Sequence, residues 1–150
     1  MIEDRSIVES VLNGEYNKFE KLIEKYEKMI FLFIYTLIGD INCSQKLCKK
    51  VFTEIYNNLY RYNINLKLSN WILSIAVKEY YNLLKYSNKF LIEDNYINLL
   101  NIQDKCILVL RKIRNDLTFE DISEILNLRE RKVKDRYINI VEGYKKEVKL

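Results

Sequence analysis

Apolar residues recur every three or four positions along most of this chain, and the places where that rhythm stops divide it into helices. The spacing predicts a first short helix around Ser6 to Asn13, stopped by Gly14. A long helix follows, with Phe19, Leu22, Ile23, Tyr26, Ile30, Phe33, Ile34, Leu37 and Ile38 in register until Gly39-Asp40 breaks the pattern. A third helix from about Ser44 carries Leu47, Val51, Ile55, Leu59 and Tyr62 inward and ends in the polar stretch RYNINLK, residues 61–67. A fourth holds Leu68, Trp71, Ile72, Ile75, Ala76, Leu83 and Leu84; Trp71 shares a face with Leu68 and Ile75 and is read as core. Residues 87–94, SNKFLIED, are less periodic and read as a linker. Cys106, Val109, Leu110 and Ile113 then mark a helix from about Gln103 to Arg114.

The last third has a different character. Phe119, Ile122, Ile125 and Leu126 make a short amphipathic helix that Thr118 can cap, Asn127-Leu128 makes a turn, and a second apolar stripe follows at Val133, Tyr137, Ile140, Val141 and Tyr144. This order is that of a DNA-binding helix-turn-helix. With Val133 buried, about 100° per residue turns Arg131, Lys134, Asp135 and Ile138 outward and leaves Lys132 and Arg136 on the flanks. Arg129, Arg131, Lys132, Lys134, Asp135 and Arg136 are the candidate duplex readers, alongside the plainer alternative of a solvated charged face.

Composition narrows the field. Three Gly and no Pro in 150 residues leave little material for hairpin turns, so the fold class is all-α. The net charge of +4 is compatible with nucleic acid only where the charge clusters. It does so at residues 44–50 (SQKLCKK), with three Lys and no acid, and at residues 129–136 (RERKVKDR), with five basic and two acidic side chains. The chain has no His, which removes the commonest general base, the His-dependent nucleophile systems and every His-containing zinc set. Three Cys, at 43, 48 and 106, suit reduced thiols better than a disulfide framework. The reading is therefore of a binding protein, with no catalytic residues, metal, cofactor or small-molecule substrate. The N-terminal MIEDRSIVES is acidic and polar, unlike a signal peptide, and the most apolar run, Met29 to Gly39, is too short to span a bilayer, so a cytoplasmic location without membrane insertion is expected.

Taken in order, Gly14 and Phe19, Tyr26, Gly39-Asp40, Leu47 with Val51-Phe52, the segment LSNWILSIAVKEYYNLL, then DKCILVLRKIRNDLTFEDISEILNL followed by KVKDR, resemble a compact bacterial sigma factor of the extracytoplasmic-function type. LSNWILSIA is similar to that family's F-x-x-W-L-x-x-I-A, and Lys132 to Arg136 lie where it has T-V-K-S-R. The resemblance covers nearly the full length. It implies an N-terminal four-helix domain (1–86) that docks on RNA polymerase and opens the promoter, a short linker (87–94), and a helix-turn-helix domain (95–150) that reads upstream duplex DNA. It also implies core RNA polymerase, promoter DNA and an anti-sigma inhibitor protein as partners.

Carried across, the resemblance places single-strand capture in the loop from Tyr60 to Ser69, where Tyr60, Tyr62, Asn63, Asn65 and Lys67 supply stacking faces, amides and a cation. Asp135 stands where the family has Ser; a carboxylate there is repelled by phosphate but can accept from a cytosine amino group, so it alters preference more than affinity. The polymerase-binding helix reads about D-L-x-Q-E-V-F in the family. Here the corresponding residues are Lys46, Leu47, Cys48, Lys49, Lys50, Val51 and Phe52, which makes Lys46, Leu47, Lys49, Lys50 and Phe52 the docking candidates with the acids replaced by Lys. Like charges across an interface oppose docking. The eight-residue linker spans at most about 29 Å, short for simultaneous contact with two promoter elements. Both departures keep alternatives open: a sigma-derived DNA-binding regulator that has lost ordinary polymerase docking, or an interaction module whose basic helices bind an acidic protein.

Overall fold

The computed structural model describes residues 2–86 and 100–148. The predicted linker, 87–94, and the first residues of the predicted second domain, 95–99, lie outside the described residues. Seven α-helices are seen among those described: α1 (Ile2–Leu12), α2 (Phe19–Ile38), α3 (Ile41–Asn58), α4 (Leu68–Tyr86), α5 (Ile102–Ile113), α6 (Phe119–Leu126) and α7 (Glu130–Val148). Single 3-10 turns precede α2 (Tyr16–Lys18) and follow α3 (Leu59–Arg61). The all-helical expectation holds, and no helix among the described residues is long and apolar enough to cross a membrane.

Two helix starts differ from the periodicity. α1 begins at Ile2 rather than Ser6, because Glu3 and Asp4 in its first turn suit the positive end of the helix dipole. Asp4 also bends inward, where its carboxylate accepts from Lys25 Nζ at 2.5 Å and from the Tyr26 hydroxyl at 2.7 Å, tying α1 to α2. α3 begins at Ile41 rather than Ser44. Asp40 is its N-cap, accepting from the Cys43 amide at 2.7 Å, so Gly39-Asp40 is both the stop of one helix and the start of the next. Gly39, at φ 76°, adopts the left-handed conformation that lets its amide close α2 onto the Tyr35 carbonyl at 2.8 Å.

α2 is the central helix. It packs against α1, α3 and α4 on the N-terminal side and against α5 on the other, while α6 packs on α4, and α7 on α5 and α6. The two halves therefore share one continuous core, running from Leu22, Ile30, Phe33 and Ile34 through Ile55, Ile72 and Leu73 to Cys106, Ile107, Leu110, Ile122 and Val133. A 55-residue unit buries too little surface to be comfortable alone, and here it leans on the larger one. Trp71 is partly buried against this core with its ring centroid 5.4 Å from that of Tyr62.

Cys106 is fully buried and its thiol is pushed up to about 12 by burial. Only the thiolate reacts. Native protein treated with iodoacetamide at pH 8 is therefore expected to keep Cys106 unmodified until it unfolds; mass-mapped modification of Cys106 at the rate of a free thiol would show that α5 opens locally from α2.

Candidate nucleic-acid and polymerase interfaces

The helix-turn-helix is built by local chemistry. Thr118 and Asp121 form a reciprocal capping box: the Asp121 amide donates to Thr118 Oγ1 and the Thr118 amide to Asp121 Oδ2, each at 3.0 Å. Asn127, at φ 52°, ends α6 in the left-handed region, and the Leu128 amide donates to the Ser123 carbonyl at 2.9 Å. Val133 and Ile140 are buried as the spacing requires. Arg111 of α5 locks the unit by stacking over Phe119 and Tyr137, at 5.1 and 5.3 Å, while donating to the Leu117 carbonyl.

Five of the six candidate duplex readers, Arg129, Arg131, Lys132, Lys134 and Asp135, are exposed on or just before α7 and form no ion pair among the described residues. Arg136 is placed differently. Its guanidinium turns back onto the start of α5, donating to Asp104 at 2.6 Å, Gln103 at 2.5 Å and the Asn101 side chain at 3.1 Å. In this conformation it joins α7 to α5 rather than facing outward, and the helical wheel could not reveal this because the acceptors lie more than 30 residues away.

The loop between α3 and α4 holds the candidate strand-capture residues. Tyr62 is pinned, donating to the Leu66 carbonyl at 2.6 Å, and Asn63 accepts from the Asn65 amide at 3.0 Å in a side-chain turn. Tyr60 is exposed, with Arg61 over its ring at 5.4 Å. Lys67 reaches across to Asp121 of α6 at 2.8 Å, and Asn70, in the first turn of α4, donates to Asp121 at 3.0 Å and to Glu124 at 2.7 Å. Burial alone would raise the Asp121 carboxyl, but the hydrogen bonds from Lys67, Asn70 and Thr118 outweigh it and hold it well below the usual carboxylate range. Asn70 is a polar residue that hydrophobic spacing did not single out; an amide within the LSNWILSIA segment was its only mark in the sequence.

The docking candidates on α3 divide between two faces. Lys49 and Phe52 line a groove of about 940 Å³ between α2 and α3, whose walls are Phe19, Ile23, Phe31, Cys48 and Tyr56 with Glu27 and Lys28. Lys46, Leu47 and Lys50 turn toward α4, where they line a smaller cavity with Glu79. There the Lys50 ammonium lies 3.2 Å from Glu79 Oε2, an ion pair whose geometry is not that of a hydrogen bond, and the Glu79 side chain is only 4% exposed. Part of the lysine charge on α3 is thus answered inside the protein. Hydrophobic spacing places Phe19 and Ile23 in the core stripe and leaves Phe31 outside it, so it does not separate the groove's α2 wall; the apolar arc of α2 is wider than one packed face needs. Among the described residues, no group of three or more Cys, Asp or Glu side chains is placed to hold a metal ion.

No family model matches the chain. The ECF RNA polymerase sigma factor SigW of Bacillus subtilis (strain 168) is 25% identical over 185 aligned positions, covering 99% of this chain and 97% of that protein. Among solved structures, CnrH in complex with the cytosolic domain of CnrY superposes with a TM-score of 0.82 at 13% identity, covering 97% of each chain. The sigma factor RpoE in complex with the anti-sigma factor NepR, from Bartonella quintana, superposes with a TM-score of 0.72 at 12% identity, covering 88% of this chain and 97% of that one. The resemblance read from ordered motifs is met by a full-length relationship and by a shared fold: the chain is a homologue of an ECF RNA polymerase sigma factor and has the helical sigma-factor fold.

Proposed function

We propose that the protein is a sigma-type transcription initiation factor, which binds core RNA polymerase and directs it to specific promoters without catalysing a reaction itself. The observation that carries this reading is the relationship to SigW over 99% of the chain, which takes in both the groove-bearing half and the helix-turn-helix. Residues 1–86 dock on polymerase through the α2–α3 groove and capture single-stranded promoter DNA through the loop before α4. Residues 95–150 read duplex DNA through the outward face of α7. It works in the cytoplasm, and an anti-sigma protein restrains it, as NepR is found on RpoE.

The roles separate by mutation. In transcription reconstituted with core polymerase free of other sigma factors, Arg131→Ala and Lys134→Ala are expected to abolish promoter-specific transcripts while retention on polymerase stays at the wild-type level. A base-edge contact contributes about 1–3 kcal/mol of discrimination, and each lost phosphate contact lowers the salt slope of duplex binding by about 1. An unchanged transcript pattern would remove α7 from promoter reading.

A further inference from the structure

Helix α6 carries its acids onto the strand-capture loop. Asp121 and Glu124 place carboxylate oxygens 2.7–3.0 Å from Lys67 and Asn70, groups that lie 51–54 residues away in sequence. The Asp121 side chain is 8% exposed and Asn70 is buried, so the Asp121–Asn70 contact is a packed interface, with the 55% exposed Lys67 side chain closing it from the solvent side. Carboxylates at these positions offer Lys67 and the Asn70 amide what a nucleic-acid strand would offer: an anionic oxygen for the ammonium and an acceptor for the amide N–H groups.

The fit is incomplete on one side. Asn70 is 1% exposed, and its Oδ1 is buried without a hydrogen-bond partner among the described residues. Rotating the amide would not relieve this, since it would turn the oxygen toward two carboxylates. A buried acceptor without a partner loses its hydration and gains nothing in return. An Asn amide that presents both a donor and an acceptor is the complement of an adenine edge, which offers N7 and the N6 amino group. Helix α6 satisfies the donor half of that pattern and leaves the acceptor half open.

We propose that Lys67 and Asn70 form a single-stranded DNA site, with Asn70 reading a base edge, and that the acidic helix α6 occupies this site as an internal mimic of the strand, so that strand binding and the packing of α6 on α4 exclude each other. This rests on the reading of the loop before α4 as the strand-capture loop. It adds Asn70 to that site and makes the closed arrangement self-competing. Any opening that lifts α6 from α4 uncovers the site, and any strand that enters it holds the two halves apart.

The test uses the full chain and a fluorescein-labelled, adenine-containing single-stranded oligodeoxynucleotide, read by anisotropy at low salt. Glu124→Gln keeps the shape of α6, leaves the capping box intact and removes one of the mimicking charges. It is expected to bind the strand at least about 5-fold more tightly than wild type. Glu20→Gln, an equal charge change on the exposed face of α2, controls for net charge and is expected to give less than a 2-fold change. Adding Asn70→Ala to Glu124→Gln is expected to abolish the preference for adenine-containing over all-pyrimidine strands. Small-angle scattering is expected to give a larger radius of gyration on strand addition. Equal affinity in Glu124→Gln and wild type, equal gains in Glu124→Gln and Glu20→Gln, or no strand binding by either would overturn the proposal. Retention on core polymerase, measured on the same preparations, judges the sigma reading separately.

Discussion

Truncating Phe31 and Tyr56 together to alanine is expected to weaken retention on core RNA polymerase by about 30-fold or more, without loss of the fold. Both side chains line the α2–α3 groove, and both keep part of their surface in water: Phe31 is half-buried and Tyr56 is 41% exposed. Tyr56 rests edge-on against Phe19, with ring centroids 5.1 Å apart, so the aromatic wall is already rigid before a partner arrives. Pre-positioned aromatic side chains that become buried on association are the usual centres of binding energy, and about 2 kcal/mol from the two together is about 30-fold in affinity. A pull-down titration against core polymerase, run beside thermal unfolding of the same variant, checks this. Unimpaired retention would move docking away from the groove.

The second large effect concerns stability. Lys50→Glu is expected to destabilise the protein by about 2 kcal/mol, because it replaces the cation beside the buried Glu79 with a second anion, an effect softened by the 59% exposure of the Lys50 side chain. For a chain of this size that corresponds to a fall of about 6 °C in the unfolding midpoint. Glu79→Gln added to Lys50→Glu is expected to recover most of the loss, since the amide needs no counter-charge. Thermal and denaturant unfolding of the two variants settle the matter: wild-type stability in Lys50→Glu would mean that the pair contributes nothing. This is a different explanation for a lysine at that position from the one that the sequence alone invites. Read along α3, Lys46, Lys49 and Lys50 form one basic patch facing one partner; in the folded chain Lys50 faces Glu79 and Lys49 faces the groove.

Such differences have a common cause. Periodicity is a property of one helix, and it located every helix among the described residues, because 3.6-residue spacing and cap residues such as Asp40, Thr118 and Asn127 act within a few residues of themselves. The outward face of α7 was legible for the same reason: once Val133 is buried, the directions of Arg131 and Lys134 follow from helix geometry. The same reasoning could not tell that Arg136, on the flank of that face, would turn to Asp104 of α5. It could not divide α3 into a groove side and an α4 side, since both sides contain apolar and basic residues. It also passed over Asn70, whose role depends on what packs against it.

By itself, then, the sequence determined an all-helical chain, the order of its helices, the helix-turn-helix with its basic outer face, and a family resemblance spread over both halves. These depend on local spacing, turn chemistry and residue inventory, which are complete within short stretches of chain. Only the tertiary structure decided which charges are already spoken for. Lys50 with Glu79, Arg136 with Asp104, and Lys67 and Asn70 with Asp121 and Glu124 are pairings between segments 29 to 54 residues apart. A charged side chain reaches several ångströms and is satisfied by whatever the fold brings near it, so its partner is set by the packing of helices and not by its neighbours in sequence.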